Sequence, residues 1–253
     1  MENSITTETL QIAVGGSASS MGIYVARPAQ EGKYPACIVC GELFGMTEHI
    51  MDITRRLAKL GYVAATFDFY HRSAPGVQLP YDEAGRDKGF ELLHQLKRED
   101  VVNDVQSLLQ YLRGRKDVIP KIGIVGFSLG GHIAFLAATQ LDLAVCVSFY
   151  GGWLTNTEIS LSQPEPTVNL SPGIAKHGGR VLYMVGDLDH AVSKEQTSAL
   201  EAGLKAAGVK HEVIRYPGVK HGFFADVRNT YDADASKNAW EHMQKVLKEE
   251  LGN

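Results

Sequence analysis

A mostly parallel β-sheet covered by helices on both faces is the fold this sequence predicts. Three observations carry that reading. Short β-branched runs alternate with helical stretches along the chain. Hydrophobic residues make up 44% of the 253 residues and charged residues 21%, which is enough apolar material for a sizeable core. No repeat, low-complexity tract, charge block or linker interrupts the pattern, so one domain over residues 1–253 is expected.

Residues 9–14 and 22–27 read as two opening strands, joined by the turn-rich Gly15-Gly16-Ser17-Ala18-Ser19 and able to pair antiparallel. Residues 36–40 form the first buried strand. Residues 48–60 form an amphipathic helix with Ile50, Ile53, Leu57 and Leu60 on one side, Thr47 to cap its start and Gly61 to cap its end. A strand over 63–67 follows. The helical stretch 82–115 divides in two where the polar Lys97-Arg98-Glu99-Asp100 interrupts it. A strand over 122–125 runs directly into a glycine-rich turn and a helix of small and apolar residues over 133–138. After a strand over 143–149, the proline-, serine- and asparagine-bearing segment 151–179 reads as a long loop, a candidate lid. A strand over 181–185 leads to the capping-box sequence Ser193-Lys194-Glu195-Gln196 and a helix that stops near Gly208. The last strand covers 211–216. The closing helix covers 234–251, with Trp240, Met243 and Leu247 inward.

The turn after the strand at 122–125 carries the chemistry. It reads Gly126-Phe127-Ser128-Leu129-Gly130. A serine hydroxyl is a poor nucleophile at neutral pH and needs a base for its proton and donors for the oxyanion that forms. Gly-x-Ser-x-Gly between a strand and a helix supplies such a site. The tight turn thrusts the hydroxyl above the sheet edge, glycines relieve crowding, and the next residue's amide points at the oxyanion. Five residues with three fixed positions are a weak signal alone, but the strand–turn–helix context makes the signal specific. It predicts an α/β-hydrolase fold with Ser128 as nucleophile.

Such a fold orders its partners as serine, acid, histidine. The acid lies in Val185-Gly186-Asp187-Leu188-Asp189, at the carboxyl edge of a strand. Asp189, deeper in the loop, is preferred, and Asp187 remains open. The histidine is His221, in Gly218-Val219-Lys220-His221-Gly222-Phe223, where flanking glycines permit a sharp loop. His190, beside the acid, is its best rival. His94, His211 and His242 fall on helices or in a strand, and His132 points along the helix after Ser128. His49 and His71 follow other sheet-edge segments, and His177 sits in the long loop.

A net charge of −4 argues against a general nucleic-acid binder. No apolar run is long enough to span a bilayer. Met1-Glu2-Asn3-Ser4 carries acid where a signal peptide carries base, and three cysteines fit a reducing compartment, so a cytoplasmic location is expected. Cys37 and Cys40 have a Cys-x-x-Cys spacing but lie on one strand, where residues three apart face opposite ways. No metal and no cofactor are expected.

Taken together, the motifs resemble the dienelactone hydrolase family from about residue 24 to residue 224. The carriers are Gly41-Glu42-Leu43-Phe44-Gly45, Phe69-Tyr70-His71-Arg72-Ser73-Ala74-Pro75-Gly76, Gly126-Phe127-Ser128-Leu129-Gly130-Gly131, Asp189-His190 and His221-Gly222-Phe223, in one order. The resemblance implies a Ser128–Asp189–His221 triad and an oxyanion hole of the Leu43 and Leu129 amides. It also implies that Glu42 sits beside the nucleophile and that Arg72 binds a substrate carboxylate. The activity it implies is hydrolysis of cyclic enol-lactones such as carboxymethylenebutenolide. Two departures stand out. The best-known members carry cysteine where this chain has Ser128, and a serine hydroxyl gives Glu42 no thiol to govern. A second family arginine, expected just after the histidine, is displaced here to Arg228. Apart from the resemblance, Glu42 reads as a solvated loop carboxylate and Arg72 as a surface arginine paired to a nearby acid.

The expected function is a serine hydrolase of small carboxylic esters or lactones, acting through an acyl-enzyme. A general short-chain carboxylesterase or thioesterase is the nearest alternative, and a non-catalytic ligand-binding protein is the alternative of another class. The expected partner is a small molecule, with no nucleic acid or membrane, in a monomer or small homo-oligomer.

Overall fold

A computed structural model describes residues 4–15 and 19–252. Its frame is an eight-stranded sheet in the order β1-β2-β4-β3-β5-β6-β7-β8. The strands are β1 (Ile5–Ala13), β2 (Ser20–Pro28), β3 (Tyr34–Cys40), β4 (Val63–Phe67), β5 (Val118–Phe127), β6 (Val145–Phe149), β7 (Arg180–Gly186) and β8 (Lys210–Tyr216). β1 pairs with β2 and β2 with β4 antiparallel, and every later pairing is parallel. The expected opening hairpin is therefore present, although the middle of its turn, residues 16–18, lies outside the described residues. The central strands β3, β4 and β6, and β5 from Ile122 onward, are almost wholly buried, which is why they read as continuous apolar runs rather than alternating ones.

Seven helices join these strands: α1 (Glu48–Lys59), α2 (Glu83–Leu93), α3 (Arg98–Arg113), α4 (Leu129–Gln140), α5 (Pro172–Lys176), α6 (Lys194–Ala206) and α7 (Ala233–Leu251). Two glycines of β5 show how helices cover both faces. Residues three apart on a strand point to opposite faces. A Cβ on Gly123 would lie 3.1 Å from Leu251 of α7, whereas one on Gly126 would lie 1.9 Å from the Gly130 carbonyl of α4.

Several sequence expectations shift in detail. The break between α2 and α3 falls at residues 94–97, so Arg98, Glu99 and Asp100 open α3 instead of interrupting the stretch. The two acids sit in its first turn, where the helix dipole favours negative charge. Thr47 stands at the N-cap of α1, but its hydroxyl bonds to the Tyr81 hydroxyl at 3.0 Å rather than to the helix. Ser193 and Gln196 do form the reciprocal capping box that starts α6. The segment 151–179 is not a bare loop. It contains two 3-10 turns, Ser160–Ser162 and Thr167–Leu170, and helix α5. No described helix is long and apolar enough to cross a membrane.

That segment is pinned to the fold by His132, one turn after Ser128 on α4. The His132 Nδ1–H donates to the Gly152 carbonyl at 2.9 Å, and Nε2 accepts from the Thr167 hydroxyl at 3.1 Å. Arg98 adds bonds to the carbonyls of Leu161 and Glu165, both at 2.8 Å. Burial holds the His132 imidazole neutral and lowers its pKa from 6.5 to about 4. The unfolded chain takes up a proton between those values and the folded chain does not, so His132 makes stability rise with pH from about 4 to about 6.5. Urea midpoints measured across that window should rise with pH, and His132→Gln should remove part of the slope. An identical slope in the variant would refute this account.

Candidate active site

The turn from β5 to α4 places Ser128 at the carboxyl edge of the sheet. Its backbone is strained, with φ 53° and ψ −115°, a region that side-chain-bearing residues rarely occupy. The surrounding glycines make the conformation possible. A Cβ on Gly126 would strike the Gly130 carbonyl, and one on Gly130 would lie 2.2 Å and 2.4 Å from the carbonyls of Cys40 and Gly41. The end of β3, the end of β5 and the start of α4 thus meet at closer range than any side chain allows. Ser128 itself donates its amide to the Phe149 carbonyl at 2.9 Å, which ties the turn to β6.

Three loops bring the predicted partners to this edge. The Ser128 hydroxyl lies 2.9 Å from His221 Nε2, and His221 Nδ1 lies 2.8 Å from Asp189 Oδ2. With Nδ1–H donating to the carboxylate, Nε2 is left to accept from the hydroxyl. All three residues are buried. Asp189 is held in turn by the amides of Ala191 and Val192, at 2.8 Å and 3.0 Å from its Oδ1. Asp187 takes another part. Its Oδ1 accepts from the Gly218 amide at 2.6 Å, bracing the loop that leads to His221. His190 packs edge-on against His221, with ring centroids 5.5 Å apart. Burial and the neighbouring His221 charge lower its pKa.

The loop after β3 lies beside the turn, because Cys40 pairs with Gly126 in the sheet. Neither the Leu43 nor the Leu129 amide is used in a backbone hydrogen bond to another described residue. Glu42 is buried rather than solvated, at 1% exposure. Its Oε1 faces Arg228 Nη1 at 3.3 Å, and its Oε2 has no hydrogen-bond partner among the described residues. Burial, then the Glu42 charge, pushes the phenols of Tyr81 and Tyr150 well up, so both stay protonated. Tyr150 also packs edge-on against His221 at 5.0 Å. Around Glu42, then, stand one arginine and two neutral phenols.

The Arg72 guanidinium is engaged by a carboxylate of α3. Its Nη1 and Nη2 fork the Asp104 carboxylate of α3 at 2.7 Å and 2.8 Å, and His71 Nε2 reaches the same carboxylate at 3.1 Å. The pairing with a nearby acid is the geometry observed, and that acid is wholly buried. The positive charges of Arg228 and Arg86 both act on His190. Arg86 lies in no motif of the sequence, and Arg228 stands displaced from the position the family resemblance implies. Its reach to Glu42, 186 residues away, leaves no local signal.

The arrangement can move a proton from a hydroxyl to an imidazole and stabilise the resulting imidazolium with a carboxylate. Asp189→Asn should therefore lower kcat on a small aryl ester by about 10⁴-fold, whereas Asp187→Asn should leave most of the rate. The reverse ranking would reassign the acid.

The model of a family described as "Dienelactone hydrolase family" matches residues 21–251. A Synechocystis sp. protein named "Putative carboxymethylenebutenolidase" is 31% identical over 248 residues, which are 98% of this chain and 99% of that one. A Bradyrhizobium sp. protein named "Probable 2-oxo-3-(5-oxofuran-2-ylidene)propanoate lactonase" is 28% identical over 240 residues, covering 93% of each. Among solved structures, a Klebsiella pneumoniae protein titled "Putative Dienelactone Hydrolase" superposes with a TM-score of 0.84 at 29% identity, over 96% of this chain and 98% of its own.

Proposed function

Because the chain belongs to the dienelactone hydrolase family and is a hydrolase, we propose that it cleaves small carboxylic esters or lactones through an acyl-enzyme on Ser128. The observation that carries this reading is the unbroken hydrogen-bond relay from the Ser128 hydroxyl through His221 to Asp189. The Ser128 oxygen attacks the substrate carbonyl carbon while its proton passes to His221 Nε2. Asp189 orients the ring and offsets the charge it gains. The Leu43 and Leu129 amides hold the oxyanion. Its collapse breaks the ester bond, and the leaving oxygen takes the proton from His221. In a lactone that oxygen stays on the same molecule as the new acyl group. Water then gives a proton to His221 and attacks the acyl carbon; the bond to Ser128 breaks, and its oxygen takes that proton back from His221.

The charges around the triad favour a substrate bearing a carboxylate. Arg86 and Arg228 are the cations assigned to meet it, in place of Arg72, which is occupied by Asp104. Glu42 then serves to hold Arg228 at the edge of the site through its ion pair. The Bradyrhizobium relative is named for a lactone that is also a carboxylate, which agrees with this assignment. A neutral-ester specificity is the second reading. It is favoured by Leu188 and Val227, large apolar side chains 56% and 59% exposed beside Asp189 and Arg228.

Ser128→Ala should abolish turnover, and a serine-directed phosphonate should add one adduct per chain, seen by intact mass, that the variant lacks. Retained hydrolysis in Ser128→Ala would end the proposal. Arg86→Ala, a change at a half-exposed side chain, should lower kcat/KM roughly tenfold on an anionic lactone and little on a neutral aryl ester. Equal losses on both substrates would favour the neutral-ester reading.

A further inference from the structure

We propose that Tyr70 is a positioning residue for the oxyanion-binding peptide, and that the pairing of Arg72 with the buried Asp104 is what holds Tyr70 in place. This inference rests on the reading above, in which the Leu43 amide binds the oxyanion.

The direction of that amide is set by two carbonyls. The peptide between Glu42 and Leu43 is planar and trans, so its N–H points opposite to its C=O. That carbonyl, from Glu42, accepts from the Gly45 amide at 3.2 Å. The next carbonyl, from Leu43, accepts from the Tyr70 hydroxyl at 3.1 Å. With both flanking peptides fixed, neither backbone dihedral of Leu43 is free to turn the N–H away. The Tyr70 side chain is fully buried, and its oxygen also approaches the Gly89 carbonyl of α2 at 3.4 Å. Gly89 leaves room for this contact, since a Cβ there would lie 2.6 Å from Leu43 Cγ.

Tyr70 is in turn placed by its own loop. Its amide donates to Asp68 Oδ1 at 3.0 Å, and the other oxygen of Asp68 accepts from the Gly76 amide at 2.6 Å. Residues 71 and 72 then fasten the loop to α3 through Asp104. A planar guanidinium that forks a buried carboxylate allows one geometry, unlike a lone ammonium. The same segment continues to a second hold on the oxyanion loop, where the Leu79 amide donates to the Phe44 carbonyl at 2.9 Å and Gln78 bridges to Gly45. From α3 to Leu43 the chain of contacts is continuous: Asp104, Arg72, the loop, Tyr70 and the Leu43 carbonyl.

Donors to an oxyanion act mainly in the transition state, so their misplacement lowers kcat rather than raising KM. The test compares Tyr70→Phe and Arg72→Lys with the wild type on one ester, with active sites counted by phosphonate labelling. Tyr70→Phe should lower kcat per labelled site about tenfold and leave KM within about twofold. Arg72→Lys should give an intermediate loss of the same kind, which keeps the idea testable should Tyr70→Phe fold poorly. Wild-type kcat per labelled site in both variants, whatever their thermal stability, overturns the inference while leaving the Ser128 mechanism intact. A wild-type protein that takes no label overturns the mechanism itself and the inference with it.

Discussion

The close approach of three chain segments at the carboxyl edge of the sheet is the constraint on which the rest of this structure depends. The carbonyls of Cys40 and Gly41 lie where a Cβ on Gly130 would be, and the Gly130 carbonyl lies where a Cβ on Gly126 would be. Nothing larger than glycine fits at either position. That contact forces the intervening Ser128 into positive φ, at a cost of about 1–3 kcal/mol. The strain is absorbed by a frame that is otherwise regular: five parallel pairings and a helix, α4, buried along nearly its whole length. The return on that strain is a hydroxyl within 2.9 Å of His221 Nε2.

A second constraint is electrostatic. Among the described residues three carboxylates are buried besides Asp189: Asp104 and Glu42 are each matched by an arginine, and Asp68 by the Tyr70 and Gly76 amides. Asp104 is completely enclosed, with Arg72 and His71 upon it. Removing a partner from such a charge costs about 3–5 kcal/mol, because the carboxylate stays behind in a low-dielectric interior. Glu42 is also enclosed, but its match to Arg228 is looser, at 3.3 Å with one oxygen unpartnered. The tight pair lies in the scaffold and the loose pair beside the triad. A ligand that meets Arg228 finds a cation only partly committed.

The sequence carried much of this, and the boundary is physical. Ser128, Asp189 and His221 were legible because each sits in a local pattern, with glycines around a turn or a loop after a strand. The hairpin, the parallel strands and the capping box of α6 were legible for the same reason. Three features were not. That Arg72 pairs with an acid is an ordinary expectation for a surface arginine, but which acid is not, since Asp104 lies 32 residues away on α3. Arg228 and Glu42 are 186 residues apart and meet only because the loops after β3 and β8 converge. The choice between Asp187 and Asp189 turned on which carboxylate faced His221 and which faced the Gly218 amide, and two residues of spacing cannot express that. Contacts closed by tertiary structure leave no trace in periodicity.

The turn at Ser128 has a chemical consequence. The fold dictates where the side chain of residue 128 stands through backbone crowding among glycines and carbonyls, and none of those contacts involves the side chain's terminal atom. Exchanging oxygen for sulfur there changes one atom and leaves every neighbour that shapes the turn untouched. The contacts that shape the turn thus place no demand on whether that atom is oxygen or sulfur. The adjustment falls on the residues that set the local charge, Glu42 and Arg228 among them.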